Sequence, residues 1–399
     1  MIMMNQIVHS GIISEYNPFH NGHAWHIAET KFHTGNTVVA VMSGNFVQRG
    51  EPALLSKWAR TEMALKNGVD LVIELPLPWA MSTAERFASG GVALLNALGC
   101  IGRISFGSEC GNLSSLQNTA DLLRTDDYER TVRALLSTGK TFAQLRAIAI
   151  ETLGGDPSPL SRPNDTLAIE YLKALDTHGS SIRPLCILRT DAAHDSGRCS
   201  ERICSASHIR KNLGALNLTN YMPQSALAIL QAELAQGKAP ASLGCMERAI
   251  LAVLRRMSQE EMAQLPDMSE GLHNRLYRAV QVSNSIEEIL MSTKTKRYTL
   301  ARIRRILLSA YLGVPSSWAK ENPPYLRVLG LNEHGQALLA QARETATLPI
   351  VMRYADIKKA GAFAQAVFAL ECRATGLYSL ALPTVEPCNS DMTLSVVRA

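Results

Sequence analysis

The stretch Ile7-Val8-His9-Ser10-Gly11-Ile12-Ile13-Ser14-Glu15-Tyr16-Asn17-Pro18-Phe19-His20-Asn21-Gly22-His23-Ala24-Trp25-His26 decides the fold. Its first eight residues make an apolar, strand-like run, Pro18 and Gly22 punctuate a turn, and a helical segment follows from Ala24. A strand that turns directly into a helix N-terminus is an anion site, because unpaired N–H groups and the positive end of the helix dipole face the turn. If the helix begins near Asn21, His20 and His23 share one face of its first turn. Their rings can then donate to an α- or β-phosphoryl oxygen and stabilise charge that builds there during displacement. Gly22 is expected to let the backbone pass close to a polyphosphate, where a Cβ would push the ligand outward. The competing readings of H-x-x-H are a metal pair and a helix cap. Without a carboxylate or cysteine at ligand spacing it makes a poor zinc site, so a nucleotide pocket is favoured and no metal is assigned.

Working outward, residues 37–42 form a second apolar β-branched run that ends in a loop over 43–52. A helix over 56–67, a third strand over 69–76, a helix over 82–98 and a fourth strand over 101–108 follow. Strands alternating with helices at this spacing predict an α/β fold with a parallel, doubly wound sheet whose ligand site lies at the strands' carboxyl ends. Residues 112–153 are purely helical, an insertion in that rhythm. Asn164 then reads as the N-cap of a helix carrying Ala168, Tyr171, Leu172 and Leu175, and 181–188 as the last strand, leading into a polar loop over 189–195. Beyond residue 221 the helical period dominates, with one short strand near 348–352. The expected organisation is a Rossmann-like nucleotide-binding domain over 1–218 and a mainly α-helical domain over 219–399.

A chain of 399 residues with 46% hydrophobic content buries a large core. Its N-terminus lacks a basic region followed by a small-residue cleavage site, and no apolar run reaches membrane length, so a cytoplasmic protein is expected. Eight cysteines without a C-x-x-C pair fit reduced thiols better than a disulfide or zinc framework. Net charge is +5, but residues 271–310 hold eight basic residues against two acids, a local +6 that leaves the remainder at −1. Such asymmetry points to one polyanion-binding face. Lys294, Lys296 and Arg297 precede a predicted helix carrying Arg302, Arg304 and Arg305, with Tyr298 available for base stacking.

A second motif, Ser205-Ala206-Ser207-His208-Ile209-Arg210, sets two hydroxyls and an arginine where a helix should start. They could hold the β,γ-phosphates of a nucleotide. The motif is uninformative alone and persuasive beside His20-Asn21-Gly22-His23. Together the two resemble the signatures of the HIGH nucleotidyltransferase superfamily, whose members attack the ATP α-phosphate and expel pyrophosphate. Longer blocks are similar to the bacterial tRNA(Met) cytidine acetate ligases: 15–23, 42–52, 106–109 and 294–299.

That resemblance implies ATP as co-substrate, with Mg2+ on its phosphates, and acetate activated as acetyl-adenylate. It further implies transfer of the acetyl group to N4 of the wobble cytidine C34 in the anticodon loop of elongator tRNA(Met). It maps ATP binding onto Ile13, Ser14, Glu15, Tyr16, Asn17, Pro18, Phe19, His20, Asn21, Gly22, His23, Ala24, Trp25 and His26, joined by Gly107, Asn164, Arg189 and Thr190. The catalytic set becomes His20, His23, Ser205, Ser207 and Arg210, with tRNA held by Lys294, Lys296, Arg297, Arg302, Arg304 and Arg305. Two other readings stay open: a small-molecule adenylyltransferase acting on a phosphorylated cofactor precursor, and a tRNA-binding protein that keeps the fold without catalysis.

Overall fold

The computed structural model describes residues 9–189, 203–269 and 271–399. Its strands are β1 (His9–Ser14), β2 (Val38–Ser43), β3 (Phe46–Val47), β4 (Glu51–Pro52), β5 (Leu71–Leu75), β6 (Ile101–Ser108), β7 (Arg183–Leu188), β8 (Leu326–Leu331), β9 (Ile350–Val351) and β10 (Val397–Arg398). The main sheet runs β10-β8-β5-β2-β1-β6-β7, with β9 beside β8. From β5 to β7 every pairing is parallel. The chain builds outward from β1 through β2 to β5, then crosses back to place β6 on β1's other side. Strand order therefore reverses between β1 and β6, and at such a switch point the carboxyl ends open a crevice for a ligand.

β2 and β5 are buried along their whole length, as parallel strands covered on both faces must be. Alternation sorts their side chains. Val39, Val41, Leu71 and Ile73 pack with the helices Ala84–Ala97 and Pro163–Thr177, whereas Val38, Ala40, Met42 and Val72 pack with Asn21–Thr34, Lys57–Leu65 and Gln224–Ala235. The insertion is helical as expected, formed by Leu113–Leu122, Asp126–Leu135 and Phe142–Thr152.

The second half departs from its expected near-absence of strands. β8 lies in the main sheet antiparallel to β5, and β10 pairs with β8. Six apolar-rich residues between prolines and Asn332 carry no period that separates a buried strand from a turn of buried helix. The helices Glu247–Arg256, Leu272–Val282, Ile286–Thr293 and Leu300–Leu312 form a core of their own, shared with Leu370, Ala374 and Tyr378. No described helix is long and apolar enough to cross a membrane.

β8 also brings a cation to Glu74. Arg327 lies 3.3 Å from Glu74 and 2.6 Å from Asp391, while buried Lys57 lies 2.7 Å from each acid. Buried charges persist only when paired in this way. Glu371, which accepts the Leu77 N–H at 2.5 Å, is pushed up to about 8 by burial and then by Glu74. Asp70 accepts the Val38 N–H at 2.8 Å and pairs with Lys31 at 2.8 Å. Asp70, just before β5, and Glu74 within it are thus structural, each with its own partners. Cys204 is disulfide-bonded, a correction to the all-thiol expectation, whereas the other six cysteines among the described residues are free.

Candidate active site

A cavity of about 350 Å3 opens at the carboxyl ends of β1 and β6. Its floor is the turn after β1. His20 is the N-cap of the helix Asn21–Thr34, its Nδ1 accepting the Gly22 N–H at 3.1 Å. His23 Nδ1 accepts the His20 N–H at 3.2 Å, and the two rings stack with centroids 3.7 Å apart. An amide N–H only donates, so each Nδ1 carries a lone pair and each neutral ring keeps its proton on Nε2. Burial, then the Arg189 guanidinium, pushes His20 down to about 3. Burial, then His20 and Arg189, holds His23 well below the usual histidine range. Both rings are therefore neutral at physiological pH and keep an Nε2–H donor for the cavity they line. The capping and phosphate-site readings of H-x-G-H are compatible, since the cap is what orients the donors.

Gly22 serves that cap. A Cβ there would stand 2.9 Å from His20 Cε1, so its absence leaves room for the imidazole. Tyr16, buried, adopts a left-handed backbone (φ 47°) and sets its ring edge-on to His23 at 5.0 Å. A non-glycine residue there is strained, and such strain collects at functional turns.

The second motif docks on the first. Ser205 caps the helix Ala206–Lys211 by accepting the His208 N–H at 3.3 Å, and its Oγ lies 3.1 Å from that of Ser207. Arg210 donates to the Asn17 carbonyl at 2.6 Å and stands 3.7 Å from Glu51. Glu51 in turn meets Arg304 of the helix Leu300–Leu312 at 2.5 Å, which ties the pocket to the basic helix.

Across the cavity, the Arg189 N–H donates to the Ser108 carbonyl at 2.9 Å, and its side chain lies over Gly107. Its buried Nε has no hydrogen-bond partner among the described residues. Asn164 is not the expected N-cap. The helix starts at Pro163, and Asn164 sits in its first turn, donating Nδ2–H to Glu109 at 2.8 Å. The Glu109 carboxylate also accepts the Asn164 and Asp165 N–H groups, so this glutamate does the capping. Local sequence offsets hide a cap supplied from 55 residues away in the chain.

Of the sequence-predicted residues, Ile13, Ser14, Glu15, Tyr16, Asn17, His20, His23, His26, Gly107, Asn164, Arg189, Ser205, Ser207 and Arg210 line the cavity. Pro18, Phe19, Asn21, Gly22, Ala24 and Trp25 do not, and Thr190 lies outside the described residues. Phe19 is wholly buried in the core, and Asn21 Nδ2 donates to the Asn220 carbonyl at 2.9 Å. Sequence reasoning missed Gln48, Arg49, Phe87, Phe106, Leu167 and Tyr171. The 42–52 block contains the first two and the 106–109 block contains Phe106; the others carry only a core-like apolar signal.

The basic segment splits in two. Lys294, Lys296 and Arg297 are exposed. Arg302 donates to the Asp267 carbonyl at 3.0 Å and lies 5.5 Å from the Tyr298 ring, and Arg305 is buried against Asp267 at 2.7 Å. Arg302, Arg304 and Arg305 thus have their guanidinium groups engaged within the protein. No group of three or more His, Cys, Asp or Glu poised to hold a metal occurs among the described residues.

The HIGH Nucleotidyl Transferase family model matches residues 7–392. A tRNA(Met) cytidine acetate ligase of Caldanaerobacter subterraneus subsp. tengcongensis is 43% identical over 93% of this chain and 94% of its own. One of Acetivibrio thermocellus is 37% identical over 97% and 99%. The crystal structure of Thermotoga maritima TmcAL bound with alpha-thio ATP superposes with a TM-score of 0.90 at 31% identity, covering 98% of this chain and 99% of that one. Fold, paired motifs and near full-length similarity agree: the chain belongs to the HIGH nucleotidyltransferase family and, within it, to the tRNA(Met) cytidine acetate ligases.

Proposed function

We propose that the chain joins acetate to ATP as acetyl-adenylate and transfers the acetyl group to N4 of the wobble cytidine C34 of elongator tRNA(Met). One observation carries the adenylation step. Two neutral histidine donors, His20 and His23, converge with Arg189 and Arg210 on a cavity lined by one acid, Glu15, among the described residues. A buried guanidinium nitrogen without a partner is costly, and a phosphate oxygen would satisfy that of Arg189.

Acetate is ionised near neutral pH, so its attack on the α-phosphorus needs no base, only positioning and charge stabilisation. The acetate oxygen bonds to phosphorus as the bridge to the β-phosphate breaks. His20 and His23 face the charge that builds on the α-phosphoryl group, and Arg210, Ser205 and Ser207 receive the departing pyrophosphate. Mg2+ would arrive with ATP, held by phosphate and water. In the second step the cytosine amine attacks the acetyl carbon and AMP leaves. Because the target base lies in a single-stranded loop, it enters without duplex melting. We assign the ATP chemistry to residues 1–218 and tRNA binding to 219–399, with Lys294, Lys296 and Arg297 as phosphate contacts, and expect a cytoplasmic enzyme.

Acetate-dependent exchange of labelled pyrophosphate into ATP tests the first step. Exchange with acetate alone supports it. Exchange only with a phosphorylated cofactor precursor favours the small-molecule adenylyltransferase, and none at all the non-catalytic reading.

A further inference from the structure

The transfer step needs a group to take the proton of the cytosine amine. We propose that Glu15 is the catalytic base: its carboxylate accepts that proton as N4 bonds to the acetyl carbon. The inference rests on the proposed function. As the N–C bond forms, the bond from the acetyl carbon to the bridging oxygen breaks, the electron pair leaves on the AMP phosphate, and the proton passes from Glu15 to solvent.

Elimination and geometry lead to this residue. Nδ1 of His20 and of His23 is occupied by a backbone N–H, so both rings offer the cavity a proton rather than a lone pair. Burial pushes Tyr16 and Tyr171 far above the ordinary phenol range, so their hydroxyls stay protonated. Arg49, Arg189 and Arg210 have no lone pair to offer. His26 needs a closer look. The Thr30 hydroxyl donates to the His26 carbonyl at 2.8 Å, so Thr30 Oγ1 must accept from Ser105 at 2.6 Å. Ser105 Oγ must then accept from His26 Nε2 at 2.9 Å, which leaves a lone pair on His26 Nδ1. Burial, then Arg189, pushes that ring down to about 4, a poor proton acceptor.

Among the described residues that line the cavity Glu15 remains, directly after β1 at the switch point. Its Oε1 accepts the Gln48 N–H at 2.7 Å, which aims the carboxylate and leaves Oε2 to receive a proton. Burial raises its pKa above the ordinary carboxylate range, against the Gln48 N–H and the facing guanidinium groups of Arg210, Arg49 and Arg60. That direction makes it the better base.

The test bypasses adenylation. The full chain is given synthetic acetyl-adenylate and elongator tRNA(Met), and single-turnover transfer is followed against pH. Absence of transfer by the wild type overturns the proposed function, and this inference with it. Given wild-type transfer, Glu15→Gln should be slower by about 10²- to 10⁴-fold and lose the rise of rate with pH, while Glu15→Asp keeps a displaced rise. A Glu15→Gln rate within about threefold of wild type, or an unchanged pH profile, overturns the inference alone. If Glu15→Gln fails to fold by its melting curve, Glu15→Asp decides: a profile superposing on the wild type refutes the assignment.

Discussion

His20 does two jobs, and substitution separates them. Its Nδ1 caps a helix by accepting the Gly22 N–H, and its Nε2–H is the donor left for the cavity. Asparagine caps a helix about as well as any residue, and its carbonyl oxygen can take the Gly22 N–H, but it is too short to replace Nε2. His20→Asn should therefore stay within about 1 kcal/mol of wild-type stability. It should still lose a donor to the reacting phosphoryl group, worth roughly 10²- to 10³-fold in rate, or about 2.7 to 4 kcal/mol. His20→Ala loses the cap as well and should cost a further 0.5–2 kcal/mol of stability, roughly, at a similar catalytic loss. The assays are acetate-dependent pyrophosphate exchange and denaturant unfolding of all three proteins. Exchange by His20→Asn within about threefold of wild type, or equal destabilisation by Asn and Ala, would refute the division of roles.

Other consequences follow from charge. His20 and His26 titrate near 3 and 4 in the folded chain against 6.5 unfolded, so between about pH 5.5 and 8 the pH dependence of ATP affinity should be that of the ATP phosphates alone and the same in wild type and His20→Asn, and a step in the calorimetric Kd near pH 6.5 that His20→Asn removes would contradict the neutrality of His20. Their depressed values also mean stability is fully present above pH 6.5 and is lost as pH falls through about 4 and then 3. Glu371 has the opposite sign. Raised from 4.5 to about 8, its contribution is complete below pH 4.5 and is lost as pH rises through 8. Glu371→Gln should flatten that alkaline decline in unfolding free energy, and an unaltered slope would remove Glu371 as its source. Glu51→Ala frees Arg210 from a partly exposed ion pair and should weaken ATP binding about fivefold, roughly 1 kcal/mol, whereas an unchanged Kd would show that the Asn17 carbonyl alone suffices. Reversing Lys294, Lys296 and Arg297 to glutamate should weaken tRNA binding and reduce its logarithmic salt slope by roughly 0.7 to 0.9 for each phosphate no longer neutralised. The same change at Arg305 breaks its buried pair with Asp267 and should instead lower stability.

Much of the site was legible because its chemistry is local. Strand, turn and helix sit within 20 residues around Gly22, and the second motif is a single cap and arginine. What escaped the sequence depends on distant parts of the chain. The cap of the helix at Pro163 comes from Glu109, and the buried partners of Lys57 come from β5 and Asp391. β8 looks like any short apolar run until it is seen against β5. The basic segment shows the same limit. Charge counting cannot separate exposed Lys296 from Arg305, whose partner Asp267 lies 38 residues earlier. Neither the tautomers nor the isolation of Glu15 as the single acid lining the cavity among the described residues can be read from residue types. Tautomers depend on which atoms already hold a bond, and the cavity lining depends on how distant segments meet.

Acyl transfer to RNA is tested most directly by incubating the chain with ATP, acetate and elongator tRNA(Met) and then measuring modified nucleosides by mass spectrometry. N4-acetylcytidine at C34, dependent on both ATP and acetate, is the expected product. ATP consumed with acetate while the tRNA stays unmodified would contradict the assignment of this cavity to RNA acetylation.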